Sequence, residues 1–293
     1  MISRTNTFQH IESYFSRRFL ELADGNTVAY REVQPEESNQ VCVIIHGLTG
    51  TSYSMLLLAD AYRKKGFQTI VVDLPGHGGS TTIPVEDMSS LARWLHVVLQ
   101  EICPSHRLAL LLGDSFGASV VLAYAQRYAL LPTTSIILAA PIPLIHPVLS
   151  IVDRLFSRVP DTIARQIYYT NHFLLSVRIR FLLAQWRRPD YRYYVAECIA
   201  IEGAQANHRY AEMVLMPANM RSNPFLSPLS EQLANQTVIM YGDTDRVAGS
   251  RAARYLRKWG NSAHIVQVPQ CGHLIHIEGI SDIIDASVGK QNH

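Results

Sequence analysis

The feature that most constrains this chain is a rhythm. Short apolar runs at residues 41–46, 69–73, 107–112, 135–140, 237–242 and 264–268 alternate with segments of helical pattern. The runs at 41–46 and 69–73 are almost continuously apolar, as a strand buried on both faces of a parallel sheet requires. Helical segments fall at about 53–65, with Gly66 as C-cap, and at 87–101, where Leu91, Leu95, Val98 and Leu99 share one stripe. Others fall at 116–128, almost wholly apolar, at about 250–258, and from about 274 onward. Runs at 17–22 and 27–33 flank Asp24-Gly25-Asn26, a hairpin signal. Strands alternating with helices of this length predict an α/β fold, a mostly parallel central sheet with helices on both faces and right-handed crossovers.

The rhythm stops between 141 and 225, where the pattern is helical and lacks β-branched runs. This stretch carries ten arginines, no lysine and six acids, a balance of +4, while the rest of the chain has 16 cations against 18 acids, a balance of −2. Length alone, 293 residues at about 150 per domain, points to two domains. The interruption recasts that as one core domain, 1–140 with 226–293, and a helical lid, 141–225, inserted over the strand ends. A sheet buried on both faces and an apolar-lined cover account for 48% apolar but only 17% charged residues. That apolar content excludes disorder, and a net charge of +2 gives no electrostatic case for nucleic-acid binding.

Cys42, Cys103, Cys198 and Cys271 are scattered without CxxC or metal-ligand spacing and read as reduced thiols. Residues 5–18 include Asn6, Gln9, His10, Glu12 and Arg17 and form no secretory apolar region. No apolar run reaches the roughly 18–20 residues of a membrane span. The expectation is a soluble cytoplasmic protein without metal or organic cofactor. Residues 1–16 are unassigned, with a short outer helix as one option.

The sharpest chemical feature is Gly113-Asp114-Ser115-Phe116-Gly117, lying where an apolar run gives way to an apolar helix. At a strand-to-helix junction this pattern puts the serine on a tight, strained turn with its hydroxyl above the sheet edge. The alternative role for Ser115 is an ordinary helix N-cap. A serine nucleophile needs a base, and the base an orienting acid. Both stand at strand ends later in the chain: Asp243-Thr244-Asp245 after the run at 237–242, and Gly272-His273 after that at 264–268. Loops at the carboxyl ends of parallel strands meet on one edge of the sheet. His273, in the loop, is favoured as base over His276, three residues on and already helical. Asp245 is favoured as acid, Asp243 being placed to hold the turn. The turn His46-Gly47-Leu48-Thr49-Gly50 would let the Leu48 N–H join the Phe116 N–H as a two-donor oxyanion hole, with His46 a structural loop residue. Asp73-Leu74-Pro75-Gly76-His77-Gly78-Gly79-Ser80 lacks a dinucleotide fingerprint and reads as a rigid turn at the site entrance.

Together these segments, in this order, resemble the α/β-hydrolase superfamily with a lid-type insertion. His46-Gly47 resembles its oxyanion loop, 73–80 its D-x-P-G-H-G-x-S segment, 113–117 its nucleophile elbow, 242–245 its acid loop and Gly272-His273 its histidine loop. The resemblance covers about 20–140 and 226–290. It implies Ser115 as nucleophile, Asp245 as acid and His273 as base of a carboxylesterase-type enzyme that cleaves an ester or thioester through an acyl-enzyme. Serine at 115 speaks against dehalogenase or epoxide hydrolase chemistry, which resembling proteins run with aspartate there. Asp114 departs from the usual pattern, either raising the histidine pKa or facing into helix packing.

The insertion sets the substrate. Its tyrosines, leucines and phenylalanines suit a small or medium apolar acyl group, with Tyr168, Tyr169 and Tyr194 as candidate wall residues. The arginines are either solvated surface or a grip on an anionic partner such as an acyl carrier protein. Two other readings of the same fold are C–C bond hydrolase or lyase chemistry and a ligand-binding member without turnover.

Overall fold

A computed structural model describes residues 10–35, 38–103, 107–143, 172–205, 215–260 and 263–288. One sheet holds eight strands: β1 (Ser16–Glu21), β2 (Thr27–Val33), β3 (Val41–Ile45), β4 (Gln68–Val72), β5 (Leu108–Asp114), β6 (Ser135–Ala139), β7 (Thr237–Gly242) and β8 (His264–Val268). Their order is β1-β2-β4-β3-β5-β6-β7-β8. The hairpin β1–β2 joins one edge antiparallel, and all pairs from β4 to β8 are parallel. The helices are α1 (Leu56–Lys64), α2 (Met88–Ile102), α3 (Phe116–Arg127), α4 (His172–Leu182), α5 (Pro189–Gln205), α6 (Met216–Arg221), α7 (Glu231–Gln236), α8 (Gly249–Trp259), α9 (Ile275–Glu278) and α10 (Ile280–Val288).

The continuity of the apolar runs follows from two cores, one on each face. Along β3, Cys42 and Ile44 pack with Leu58 and Tyr62 of α1 and Ile283 of α10. Val41, Val43 and Ile45 pack on the other face with Leu91 and Leu95 of α2 and Val120 and Val121 of α3. Each strand residue thus meets a helix layer whichever way it points. The two edge strands are the exceptions: β1 has no buried residue, and along β8 only Val268 is buried.

Some boundaries differ from the sequence reading. β5 continues through Gly113 and Asp114, which pair with Leu138 and Ala139 of β6, because ladder pairing overrides the weak strand preference of Gly and Asp. A 3-10 turn, Ser52–Met55, precedes α1, and Gly279 separates the last helical stretch into α9 and α10. Residues 10–14 are helical, and Ile11 and Phe15 reach the core, so this segment packs inward. Within 141–225 the described residues form α4, α5 and α6 and no strand. This insertion leaves the sheet after β6 and returns at β7, its immediate neighbour. Among the described residues no helix is long and apolar enough to cross a membrane.

The chain runs from β3 to β4 on one side, then crosses to β5 on the other. That reversal opens a crevice beyond the carboxyl ends of β3 and β5, where ligands bind in open α/β sheets.

Candidate active site

Ser115 stands at that crevice with φ 53° and ψ −111°, a strained conformation for a residue with a side chain. Its amide is held by Ala139 O at 2.8 Å, and its side chain makes no cap bond to α3. The N-cap alternative therefore fails, and Ser115 Oγ lies 2.9 Å from Nε2 of His273. The turn is packed so tightly that a Cβ on Gly117 would stand 2.3 Å from the Ile45 carbonyl oxygen.

The second half of the relay is equally short. His273 Nδ1 is 2.9 Å from Asp245 Oδ2, while Asp245 Oδ1 accepts the Val247 and Ala248 amides at 2.8 and 3.0 Å. Those amides fix the carboxylate so that one oxygen faces the imidazole. With Nδ1 donating to Asp245, Nε2 is left to accept from the serine hydroxyl. Burial disfavours the charged ring, but the Asp245 charge and hydrogen bond, together with the Asp114 charge, outweigh it and raise the His273 pKa above 6.5. Burial likewise raises Asp245, and the His273 contact and the two amides overcome it, leaving the acid below its ordinary value.

The remaining candidates sort clearly. Asp243 Oδ1 accepts the Cys271 amide at 3.2 Å, and Thr244 bonds Cys271 O through both its amide and its hydroxyl. Asp243 thus staples the acid loop to the histidine loop, a longer-range task than holding its own turn. His276 Nδ1 comes within 3.1 Å of Asp114 Oδ1, close enough for charge pairing though not aligned as a hydrogen bond. Both side chains are buried, and the Asp114 charge contributes to raising His273.

The turn at 46–50 is pressed against Ser115, since a Cβ on Gly47 would lie 3.1 Å from the Ser115 Cβ. Among the described residues, neither the Leu48 nor the Phe116 amide donates a hydrogen bond within the protein. His46 shapes this turn. Its Nδ1–H donates to Gly47 O at 2.7 Å and its Nε2 accepts the Leu74 amide at 2.9 Å. Burial pushes its pKa down to about 4, so the ring is neutral. His77 Nε2 accepts the Thr49 amide at 3.2 Å, holding Thr49 at φ 63°. The 73–80 segment therefore clamps the adjoining turn.

Tyr194 of α5 is buried, and its hydroxyl bonds the Tyr53 and Ser54 carbonyl oxygens, each at 3.1 Å. It anchors the insertion to the 3-10 turn before α1. Tyr168 and Tyr169 lie outside the described residues. Arg180 and Arg187 sit on the Trp186 ring, and Arg188 pairs with Asp190 at 2.7 Å over Tyr191. Glu278 was missed in the sequence, since a glutamate at the end of a short helix carries no motif.

A family model described as alpha/beta hydrolase fold matches residues 41–280. A curated relative, Monoacylglycerol lipase abhd6-A of Xenopus laevis, is 22% identical over 252 residues, covering 80% of this chain and 70% of that protein. The esterase EaEST from Exiguobacterium antarcticum superimposes with a TM-score of 0.73 at 16% identity, over 95% of this chain and 100% of that one. A thermophilic esterase from Thermogutta terrifontis gives a TM-score of 0.69 at 19% identity, over 94% and 97% of the two chains.

Proposed function

The chain belongs to the alpha/beta hydrolase fold family, and from that premise we propose a serine ester hydrolase that works through an acyl-enzyme on Ser115. One observation carries the proposal: a continuous Ser115–His273–Asp245 relay with two 2.9 Å links, on a serine that does not cap its own helix. His273 Nε2 takes the hydroxyl proton as Ser115 Oγ attacks the ester carbonyl, and Asp245 stabilises the imidazolium. The Leu48 and Phe116 amides receive the developing oxyanion; one such donor is typically worth on the order of 10²–10³ in turnover. His273 returns the proton to the leaving alcohol, then activates water to release the acid. No step needs a metal or organic cofactor.

The insertion, read as a lid over 141–225, gives the acyl site its apolar wall, with Tyr168 and Tyr169 still candidates. A small or medium apolar acyl ester is the substrate class, and the curated relative's name, a monoacylglycerol lipase, supports an ester as substrate. None of the four cysteines is in a disulfide, which suits a reducing compartment such as the cytoplasm. The alternative substrate, an ester carried on an acyl carrier protein and held by the insertion's arginines, has one test: reversing the charge of Arg187 and Arg192. An unchanged rate on the carrier-bound ester in that variant removes it.

The deciding experiment is turnover of p-nitrophenyl esters from acetate to dodecanoate, with fluorophosphonate labelling. Hydrolysis and labelling in the wild type, both abolished in Ser115→Ala, are expected. Labelling without ester turnover redirects the reading to C–C bond chemistry. Neither labelling nor turnover would leave a ligand-binding protein on the same fold.

A further inference from the structure

Glu278 closes α9, five residues beyond His273, and has no place in the relay. Its two carboxylate oxygens accept three backbone N–H groups from two distant parts of the chain. Gly272 donates to Oε2 at 2.6 Å, Ala184 to Oε2 at 3.1 Å and Gln185 to Oε1 at 2.6 Å. Gly272 belongs to the histidine loop, whereas Ala184 and Gln185 form the turn between α4 and α5 of the insertion. Charge-assisted bonds of this kind are short and roughly twice as strong as neutral ones.

The same two segments also touch directly. The His273 amide donates to Leu182 O at 2.8 Å, and the Gln185 side-chain amide donates to Gln270 O at 3.1 Å. Gly272 is where they come closest. A Cβ there would lie 2.4 Å from Leu182 O and 2.7 Å from Ala184 N, so glycine is required by backbone-on-backbone packing. From the acid loop, Arg246 donates to Arg180 O at 2.6 Å. The amides flanking the base therefore depend on the insertion, with Glu278 as the shared fastener.

We infer that Glu278 is a positioning residue for His273, and that through it the 182–185 turn forms part of the mounting of the base. The inference rests on the serine hydrolase reading given above. Its consequence is that the insertion controls turnover as well as substrate choice. Loosening the turn lets the Gly272–His273 peptide rotate, and the imidazole leaves the 2.9 Å reach of Ser115 Oγ.

The test uses the full chain with Glu278→Gln, nearly isosteric but presenting N–H donors toward backbone N–H groups, and Glu278→Ala. Two readouts are taken: kcat and KM on p-nitrophenyl acetate per fluorophosphonate-titrated site, and amide hydrogen exchange. Glu278→Gln is expected to lower kcat on the order of 10-fold with KM nearly constant, because small misplacements of a catalytic group act on turnover. Exchange is expected to rise together in peptides covering 180–187 and 268–275, with β7 unchanged. Wild-type kcat per titrated site in both variants overturns the inference. So does faster exchange in one of the two peptides alone. Should the wild type hydrolyse no ester, the functional reading fails, and the exchange readout still decides whether Glu278 couples the two segments. Should Glu278→Ala fail to fold, Glu278→Gln carries both measurements.

Discussion

Adding one carbon atom at Gly117 tests the geometry of the nucleophile turn most directly. A Cβ there stands 2.3 Å from Ile45 O and 2.6 Å from His46 O, where real contacts stay above 3.0 Å. Opening the gap from 2.3 to 3.0 Å demands a 0.7 Å retreat. β3 is not free to give way, because β4 and β5 hold it on both sides. The start of α3 must move instead, carrying Ser115 and Phe116. Moved by that amount along the bond, the 2.9 Å Ser115–His273 contact becomes 3.6 Å, no longer a hydrogen bond. Misplacement of this order costs up to about 10²-fold in kcat/KM. Overpacking costs a further 1–3 kcal/mol or so of stability. At roughly 2–4 °C per kcal/mol, the melting temperature should fall by several degrees. Thermal melts and p-nitrophenyl acetate kinetics on Gly117→Ala supply both readouts. Gly66→Ala is the control. Its added Cβ meets nothing within 4 Å, although φ is +89°, so it should lose stability and keep full turnover. If Gly117→Ala kept kcat/KM within about twofold of wild type, a loss under roughly 0.5 kcal/mol, the account of the turn would be wrong.

Further outcomes are expected. Turnover needs neutral His273, whose pKa is raised, so the wild-type rate should fall on acidification with a midpoint above 6.5. Asp245→Asn should move that midpoint down and cut kcat on the order of 10³–10⁴-fold through the wrong tautomer, while Asp114→Asn should give a smaller downward shift and a near-normal plateau. A pH–rate series on the three proteins checks this, and an unmoved midpoint in Asp245→Asn refutes the assignment. As for pH and stability, His273's contribution is fully present below 6.5 and lost as pH rises through its elevated folded pKa. Tyr194→Phe removes the hydroxyl shared by two backbone carbonyl groups and should destabilise by about 1–2 kcal/mol, read by thermal melt; an unchanged melt would show that the hydroxyl is not an anchor.

The sheet was legible because β3, β4, β5, β6 and β7 are buried on both faces, which forces runs of apolar residues that no helix face or exposed strand imitates. Ser115, His273 and Asp245 were legible because topology sends the ends of parallel strands to one edge, so residues 158 positions apart could be paired from strand order alone. The 3-10 turn before α1 and the extension of β5 through Asp114 were not, since pairing geometry decides them rather than composition. The roles of Asp243, His77 and Glu278 were hidden for a different reason. Each acts on backbone amides of a distant loop, and a backbone amide leaves no trace in residue type. Tyr194 read as a wall residue because aromatic content alone cannot tell an anchor from a lining.

The insertion's position between β6 and β7 has an entropic consequence. These neighbours in the sheet are joined by residues 140–236, while β5 and β6 are joined by residues 115–134. Closure entropy grows only with the logarithm of loop length, so replacing a 20-residue crossover by one of 97 adds about 1.4 kcal/mol. That is within reach of a single good hydrogen bond or buried methylene pair. The sheet can therefore host covers of very different length and sequence at small cost to its stability. Whether a substituted cover leaves a working base depends on a narrower condition: a carbonyl where Leu182 O now stands and two amides facing Glu278. Chimeras that meet that condition should inherit turnover from the sheet and selectivity from the graft.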